Sequence, residues 1–172
     1  APDPASKAIS TIGGNIATNA GGLLCAKYGV TREAVLGLDV VLADGRFVRT
    51  GHRTVKGVTG YDLTSLLVGS EGTLGVIVGA TVRVLPRPLG EPTTLGALFA
   101  DVKAASDAAA RVTAAHLRPA VMELLDAPAL ERISAYLGEQ TIRDAFGAAG
   151  GVAYLLVQFD GPTAAGDAET AA

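Results

Sequence analysis

Tryptophan is absent, cysteine occurs once, and aromatic residues make up only 5% of the 172 positions. The single cysteine, Cys25, excludes an intramolecular disulfide framework and any zinc site built from several thiolates. His52 and His116 are the only histidines and lie far apart, so no metal site is expected. Scarce rings and a net charge of −3 leave little for stacking bases or neutralising phosphates, which excludes nucleic acid as a partner. There is no basic start followed by an apolar core of the secretory kind, so a reducing, cytoplasmic setting is expected. The longest uncharged window, Ala8–Ala26, is long enough to raise a spanning helix. However, Ser10, Thr11, Asn15, Thr18, Asn19 and four glycines make it a poor one, and no membrane anchor is expected. What the chain has in excess is glycine, 22 residues, beside 8 prolines.

The surplus lies mostly before Pro88, where short runs of Val, Leu and Ile read as strands joined by tight turns. Val35–Ala43 puts Leu36, Leu38, Val40 and Leu42 on one face, and Asp44-Gly45 predicts a two-residue hairpin into Arg46–Arg49. Thr81–Leu85 alternates as a second strand, with Gly75 and Gly79 as bulges or close approaches upstream. A short helix is expected over Asp62–Val68, capped by Asp62 and turning Leu63, Leu66 and Leu67 inward. Pro86, Pro88 and Pro92 mark a boundary, giving one domain over 1–88 and another over 89–172. The second alternates strand and helix: a strand over Thr94–Ala100, a helix capped by Asp101 with Val102, Ala105, Ala109 and Val112 inward, and a strand over Pro119–Leu125. A helix follows from Asp126 with Pro128 in its first turn and Leu130, Ile133 and Leu137 inward, ending at Gly138. A helical stretch near Thr141–Phe146 and a strand over Gly151–Phe159 complete a β-α-β-α-β order, part of a ferredoxin-like α+β layer. Gly161–Ala172 carries no core positions and reads as the start of a further helix.

Two glycine-rich segments dominate, Thr11–Gly22 (TIGGNIATNAGG) and Gly69–Gly75 (GSEGTLG). Glycine permits positive φ and lets backbone amides converge on an anion or a flat ring with no Cβ in the way. Neither segment is a G-x-G-x-x-G fingerprint or a P-loop. From residue chemistry alone, tight turns and a cofactor cradle both stand.

The order and spacing of Pro2–Ser6, Thr11–Gly22, Lys27–Val30, Val35–Leu38, Ala43–Gly45, Gly60–Leu63 and Gly69–Ile77 resemble the FAD-linked oxidase family. This is the vanillyl-alcohol-oxidase type, and the likeness is to its branch of glycolate oxidase flavin subunits and D-lactate dehydrogenases. It covers residues 2–88, and Arg118–Asp126 (RPAVMELLD) is similar to the opening of that family's cap domain. The resemblance implies an α+β chain: the second part of a PCMH-type FAD-binding domain, then the start of a ferredoxin-like cap. It implies FAD as cofactor, with Ser10, Thr11, Gly13, Gly14, Asn15, Thr18, Asn19, Ala20 and Gly21 beside the pyrophosphate and flavin, and Glu71, Gly72, Thr73, Gly75, Val76 and Ile77 lining the cofactor through main-chain groups. The function it implies is oxidation of a D-2-hydroxy acid, such as glycolate or D-lactate, by hydride transfer to flavin N5. The substrate would be that small molecule, with electrons passing to a second acceptor that the sequence does not identify.

The first pyrophosphate loop and the His-containing catalytic tail of that family have no counterpart here. The chain is therefore expected to be a fragment, with its catalytic residues elsewhere. The alternative is a non-catalytic flavin scaffold, or half of a split flavoprotein that needs a partner subunit. For the full enzyme, peripheral attachment at the inner membrane is compatible with this branch.

Single residues have their own readings. Glu71 is expected to orient its loop by accepting backbone N–H groups, Tyr61 to be half-buried packing, and Asp62 and Asp126 to be helix caps. Cys25 is expected to be a buried small hydrophobe. Gln158 stands where the family often carries an acidic residue.

Overall fold

The computed structural model describes residues 3–54, 56–88, 90–138 and 152–161. The chain divides into two compact units, Ala1–Arg87 and Pro88–Ala172. Both combine helices with antiparallel sheet, as the α+β expectation requires.

The first unit opens with helix where turns and strands were expected. α1 spans Ile12–Thr18, α2 Cys25–Tyr28 and α3 Thr31–Ala34. Two adjacent glycines weaken α1 by roughly 1 kcal/mol each relative to alanine, so its ends and one anchor must hold it. Thr11 caps it by accepting from the Gly14 amide at 3.0 Å, and Ile16 is 1% exposed in the core. Asn19 closes it in the left-handed conformation at φ 51°. The sheet consists of β1 Val35–Val41, β2 Phe47–Gly51 and β3 Val76–Val82, in the order β2-β1-β3, all antiparallel.

The hairpin between β1 and β2 is not the two-residue form. Leu42 donates to the Arg46 carbonyl and Gly45 to the Leu42 carbonyl, each at 2.9 Å, leaving a three-residue loop Ala43-Asp44-Gly45. Gly45 takes φ +83°, and the Asp44 carboxylate accepts from the Arg46 amide and guanidinium, which holds its pKa below the usual carboxylate range. The next strand is displaced as well. β3 begins at Val76 and ends at Val82, and its ladder with β1 carries an extra β1 residue between Val35 and Gly37 and an extra β3 residue, Val78, opposite the step from Asp39 to Val40. α4, Leu63–Leu67, is capped by Asp62 as expected, but only Leu67 of its leucines is buried; Leu63 and Leu66 face out. Ile16, Val35, Leu38, Val40, Leu67 and Val68 form the core, with Leu42 and Ile77 packed on it.

In the second unit β4 Thr93–Phe99, α5 Val102–Ala114, β5 Val121–Leu125, α6 Ala127–Leu137 and β6 Ala153–Phe159 follow the expected order. β6 is antiparallel to both β4 and β5 and lies between them. The β4–α5–β5 crossover thus leaves a one-strand gap that β6 fills, the split arrangement of ferredoxin-like layers. Asp101 caps α5 through the Ala104 amide at 2.7 Å, and Asp126 caps α6 through the Ala129 amide at 3.0 Å. Leu155, Val157 and Phe159 of β6 alternate into the core against Phe99, Ala108, Ala109, Leu117, Met122 and Leu124. Ala105 of α5 is fully buried, whereas Val102 and Leu137, expected inward, are exposed because each sits at a helix end. The stretch Thr141–Phe146 and residues 162–172 lie outside the described residues.

Candidate functional site

The two glycine-rich segments, about fifty residues apart in sequence, are adjacent in space. The Gly69 amide donates to the Ile16 carbonyl and the Glu71 amide to the Ala17 carbonyl, both at 3.0 Å. The second loop is thereby stitched along the last turn of α1. A third element locks the junction: Thr31 donates to the Ala20 carbonyl through both its amide (3.1 Å) and its hydroxyl (2.7 Å). Arg32 completes it, its amide donating to Asn19 Oδ1 at 2.9 Å and its Nη2 to the Val68 carbonyl at 3.3 Å. Thr31 and Arg32 escaped the sequence reading, since nothing in a Val-Thr-Arg-Glu stretch announces bonds to carbonyls so remote.

The residues of this junction fall into those used internally and those left open. Thr11 Oγ1 and Thr18 Oγ1 are engaged with Gly14 of their own helix, Asn19 Oδ1 with Arg32, and Thr73 Oγ1 with the Ser70 carbonyl at 2.6 Å. A Cβ on Gly14 would press on Thr11 Oγ1, and one on Gly21 on Val30 and Cys25, so packing explains both glycines. Gly75 is buried and passes close to Val40 and the Val41 carbonyl, and Val76 follows it exposed at the start of β3. Ser10 ties back to the Ser6 carbonyl through its amide.

Gly13 is different. It is exposed on α1, and a Cβ there would meet nothing within 4 Å. No packing demand accounts for a residue that weakens its helix. Asn15 is only 9% exposed as a whole residue. Ser70 Oγ is closed off from solvent and has no hydrogen-bond partner among the described residues. Buried polar groups left unpaired cost stability in the chain alone.

Among the described residues, no backbone amide donates to the Glu71 carboxylate, contrary to expectation. The residue is exposed, with φ at +50°, and contributes its own amide instead, while Gly72 follows at φ +80°. Tyr61 is 96% exposed rather than half-buried, because it precedes the α4 cap on an outward loop. Cys25 is intermediate in burial rather than buried, and its Sγ accepts from the Gly22 amide at 2.9 Å. Asp62 accepts from the Ser65 hydroxyl (2.6 Å) and amide (2.9 Å), which lowers its pKa. In the second unit Gln158 donates to Thr94 Oγ1 at 2.8 Å.

A separate groove of about 520 Å³ runs over the sheet, with Gly37, Asp39, Arg49, Gly51, His52 and Gly79 among its lining. None of the expected cofactor residues lines it. Its glycines are packing glycines: a Cβ on Gly51 would collide with the Leu36 carbonyl, and one on Gly37 would lie 2.6 Å from the Thr50 carbonyl. Among the described residues no helix is long and apolar enough to cross a membrane, and no group of three or more acidic, His or Cys side chains is placed to hold a metal ion.

Comparison with known proteins identifies the class. Residues 1–51 match the FAD binding domain family and residues 91–172 the C-terminal domain of FAD linked oxidases. The chain belongs to the FAD-linked oxidases, and its cofactor is FAD. Within that family it is 48% identical over 163 residues to glycolate oxidase subunit GlcD of Bacillus subtilis, covering 94% of this chain and 33% of that protein. It is 40% identical over 159 residues to D-lactate dehydrogenase of Archaeoglobus fulgidus, covering 92% of this chain and 34% of the relative. Over 135 residues it is 43% identical to D-2-hydroxyglutarate dehydrogenase of Xanthomonas citri pv. viticola, covering 78% and 28%. The chain thus spans about a third of the length of these relatives. A solved alkyldihydroxyacetonephosphate synthase shares the fold with a TM-score of 0.72 at 23% identity, over 99% of this chain and 32% of that one. The open Gly13 and the unpaired Ser70 hydroxyl fit a flat, hydrogen-bonding cofactor laid against this junction.

Proposed function

We propose that the protein is part of an FAD-dependent dehydrogenase or oxidase of D-2-hydroxy acids, and that the junction of α1 with the Gly69–Gly75 loop is its flavin cradle. The observation that carries the cradle is Gly13, a helix-weakening residue with open space where its Cβ would be. Three relatives whose names specify glycolate, D-lactate and D-2-hydroxyglutarate support the substrate class. Held there, FAD would supply the hydride-accepting chemistry for the substrate carbon that bears the hydroxyl. The residues of this chain hold and orient it. Gly13 and Gly72 let it approach the backbone, Asn15 supplies a carboxamide, and Ser10, Thr11, Gly14, Thr18, Asn19, Ala20, Gly21, Glu71, Thr73, Gly75, Val76 and Ile77 shape the surface around it.

Expression of the whole gene product, followed by a flavin absorbance spectrum and an assay with an artificial electron acceptor, tests this. Bound flavin, bleached by glycolate, D-lactate or D-2-hydroxyglutarate, is the expected result. A protein that takes up no flavin overturns the cradle; one that takes it up but is bleached only by L-enantiomers overturns the substrate class.

A further inference from the structure

Ser70 lies at the centre of the junction, and its backbone is fully committed. Its amide donates to the Leu67 carbonyl at 3.2 Å, and its carbonyl accepts from both the amide (2.9 Å) and the hydroxyl (2.6 Å) of Thr73. Its neighbours on either side are tied to α1 through the Gly69 and Glu71 amides. The one freedom left to Ser70 is rotation about χ1, among three staggered wells. In the well it occupies, Oγ is closed off and bonded to nothing, although the residue as a whole is only half-buried and so borders the surface. A methyl group in that position would serve the fold better, since an unpaired buried hydroxyl is costlier than no hydroxyl. The hydroxyl therefore answers to something outside the chain's own packing.

We infer that Ser70 is a further FAD-binding residue: when the cofactor lies along the junction, the side chain turns about χ1 and Oγ donates a hydrogen bond to one of its acceptor atoms. This rests on the flavin cradle proposed above. It adds a hydroxyl donor to a loop whose other contacts were expected to come from the main chain.

The test uses the whole gene product, stripped of flavin and then titrated with FAD while flavin fluorescence is followed. For Ser70→Ala the flavin-free protein melts at the wild-type temperature or a few degrees higher, while the Kd for FAD rises about tenfold, equivalent to about 1.4 kcal/mol. Ser65→Ala, which removes a hydroxyl bonded only to Asp62, does the reverse: it lowers the melting temperature and leaves the Kd unchanged. A Ser70→Ala protein that binds FAD within twofold of wild type overturns the inference. So does one whose flavin-free form is destabilised, which would make the hydroxyl a structural one. An unaltered protein that takes up no FAD overturns the cradle itself, and is distinguished from both results by the wild-type titration.

Discussion

The amide of Glu71 donates to the carbonyl of Ala17 across 3.0 Å, so a residue in the left-handed conformation reaches from one glycine-rich segment to the other. With the Gly69–Ile16 bond beside it, this fixes the register of the second loop along α1. Side-chain substitution at 71 leaves that amide in place. What joins Glu71 to α1 is its main chain, not its carboxylate.

Gly13→Ala separates stability from binding. In the flavin-free protein, alanine strengthens α1 by up to about 1 kcal/mol, because the new methyl meets no atom and the helix loses a glycine. The same methyl stands on the face assigned to the cofactor, so the Kd for FAD rises, by about tenfold or more. Urea unfolding of the flavin-free protein together with an FAD titration checks both signs. Loss of stability and unaltered affinity would show that Gly13 belongs to the packing after all.

Gly51 and Gly45 both have positive φ, +81° and +83°, yet they are predicted to respond very differently. At Gly45 the space around a Cβ is open, so alanine brings only the backbone strain, about 1 kcal/mol. At Gly51 the Cβ would also run into the carbonyl of Leu36 and the Cα of Gly37 across the strand, which must separate to admit it. Gly51→Ala is expected to cost about 3 kcal/mol or more, or to abolish folding. Circular dichroism melts of the two variants decide it.

Asp62→Ala removes the α4 cap and is expected to cost about 1 kcal/mol at neutral pH. The Ser65 hydroxyl and amide hold the Asp62 carboxyl below its ordinary pKa, with a smaller contribution from His52. The folded protein thus binds this proton less readily than the unfolded chain, so the stability it supplies is complete above the unfolded value of about 3.9 and fades as pH falls through the lower folded value. The difference between wild type and Asp62→Ala should therefore shrink in denaturation curves taken below about pH 4. Asp62→Asn, which keeps an acceptor, should retain most of the cap and lose the pH dependence.

What could be read from the sequence was local. Asp62, Asp101 and Asp126 declare their caps because a carboxylate three residues ahead of a free amide is a short-range geometry, and the second unit's strand-helix order follows from alternation and helical spacing. Two-fold alternation also placed Leu38 and Val40 in the core. The hairpin went astray because Asp44-Gly45 serves equally in a three-residue loop, where Gly45 alone takes the positive φ. α1 was hidden because its glycines speak against a helix; a threonine cap, a left-handed Asn19 and the burial of Ile16 overrule them. The junction itself could not be read, since the two loops are joined by backbone amides that every sequence possesses and locked by side chains bonded to remote carbonyls.

Thr31→Val tests whether the junction matters to the cofactor as well as to the fold. Thr31 is 4% exposed, and its hydroxyl donates to the Ala20 carbonyl at 2.7 Å, while its amide shares the same acceptor. Valine keeps the shape and the amide bond but removes the hydroxyl, at a cost of about 1 kcal/mol because the carbonyl stays partnered. Ala20 is the residue that follows the Asn19 cap, so slackening there frees the end of α1 and, through Asn19 Oδ1 and Arg32, the loop at Val68. The expected outcome is a modest fall in the melting temperature with a rise of several-fold in the Kd for FAD. Hydrogen exchange should quicken at the Gly69 and Glu71 amides, whose acceptors lie on α1. Unchanged exchange at those two amides would show that Thr31 stabilises its own turn alone and that the two loops are held in register without it.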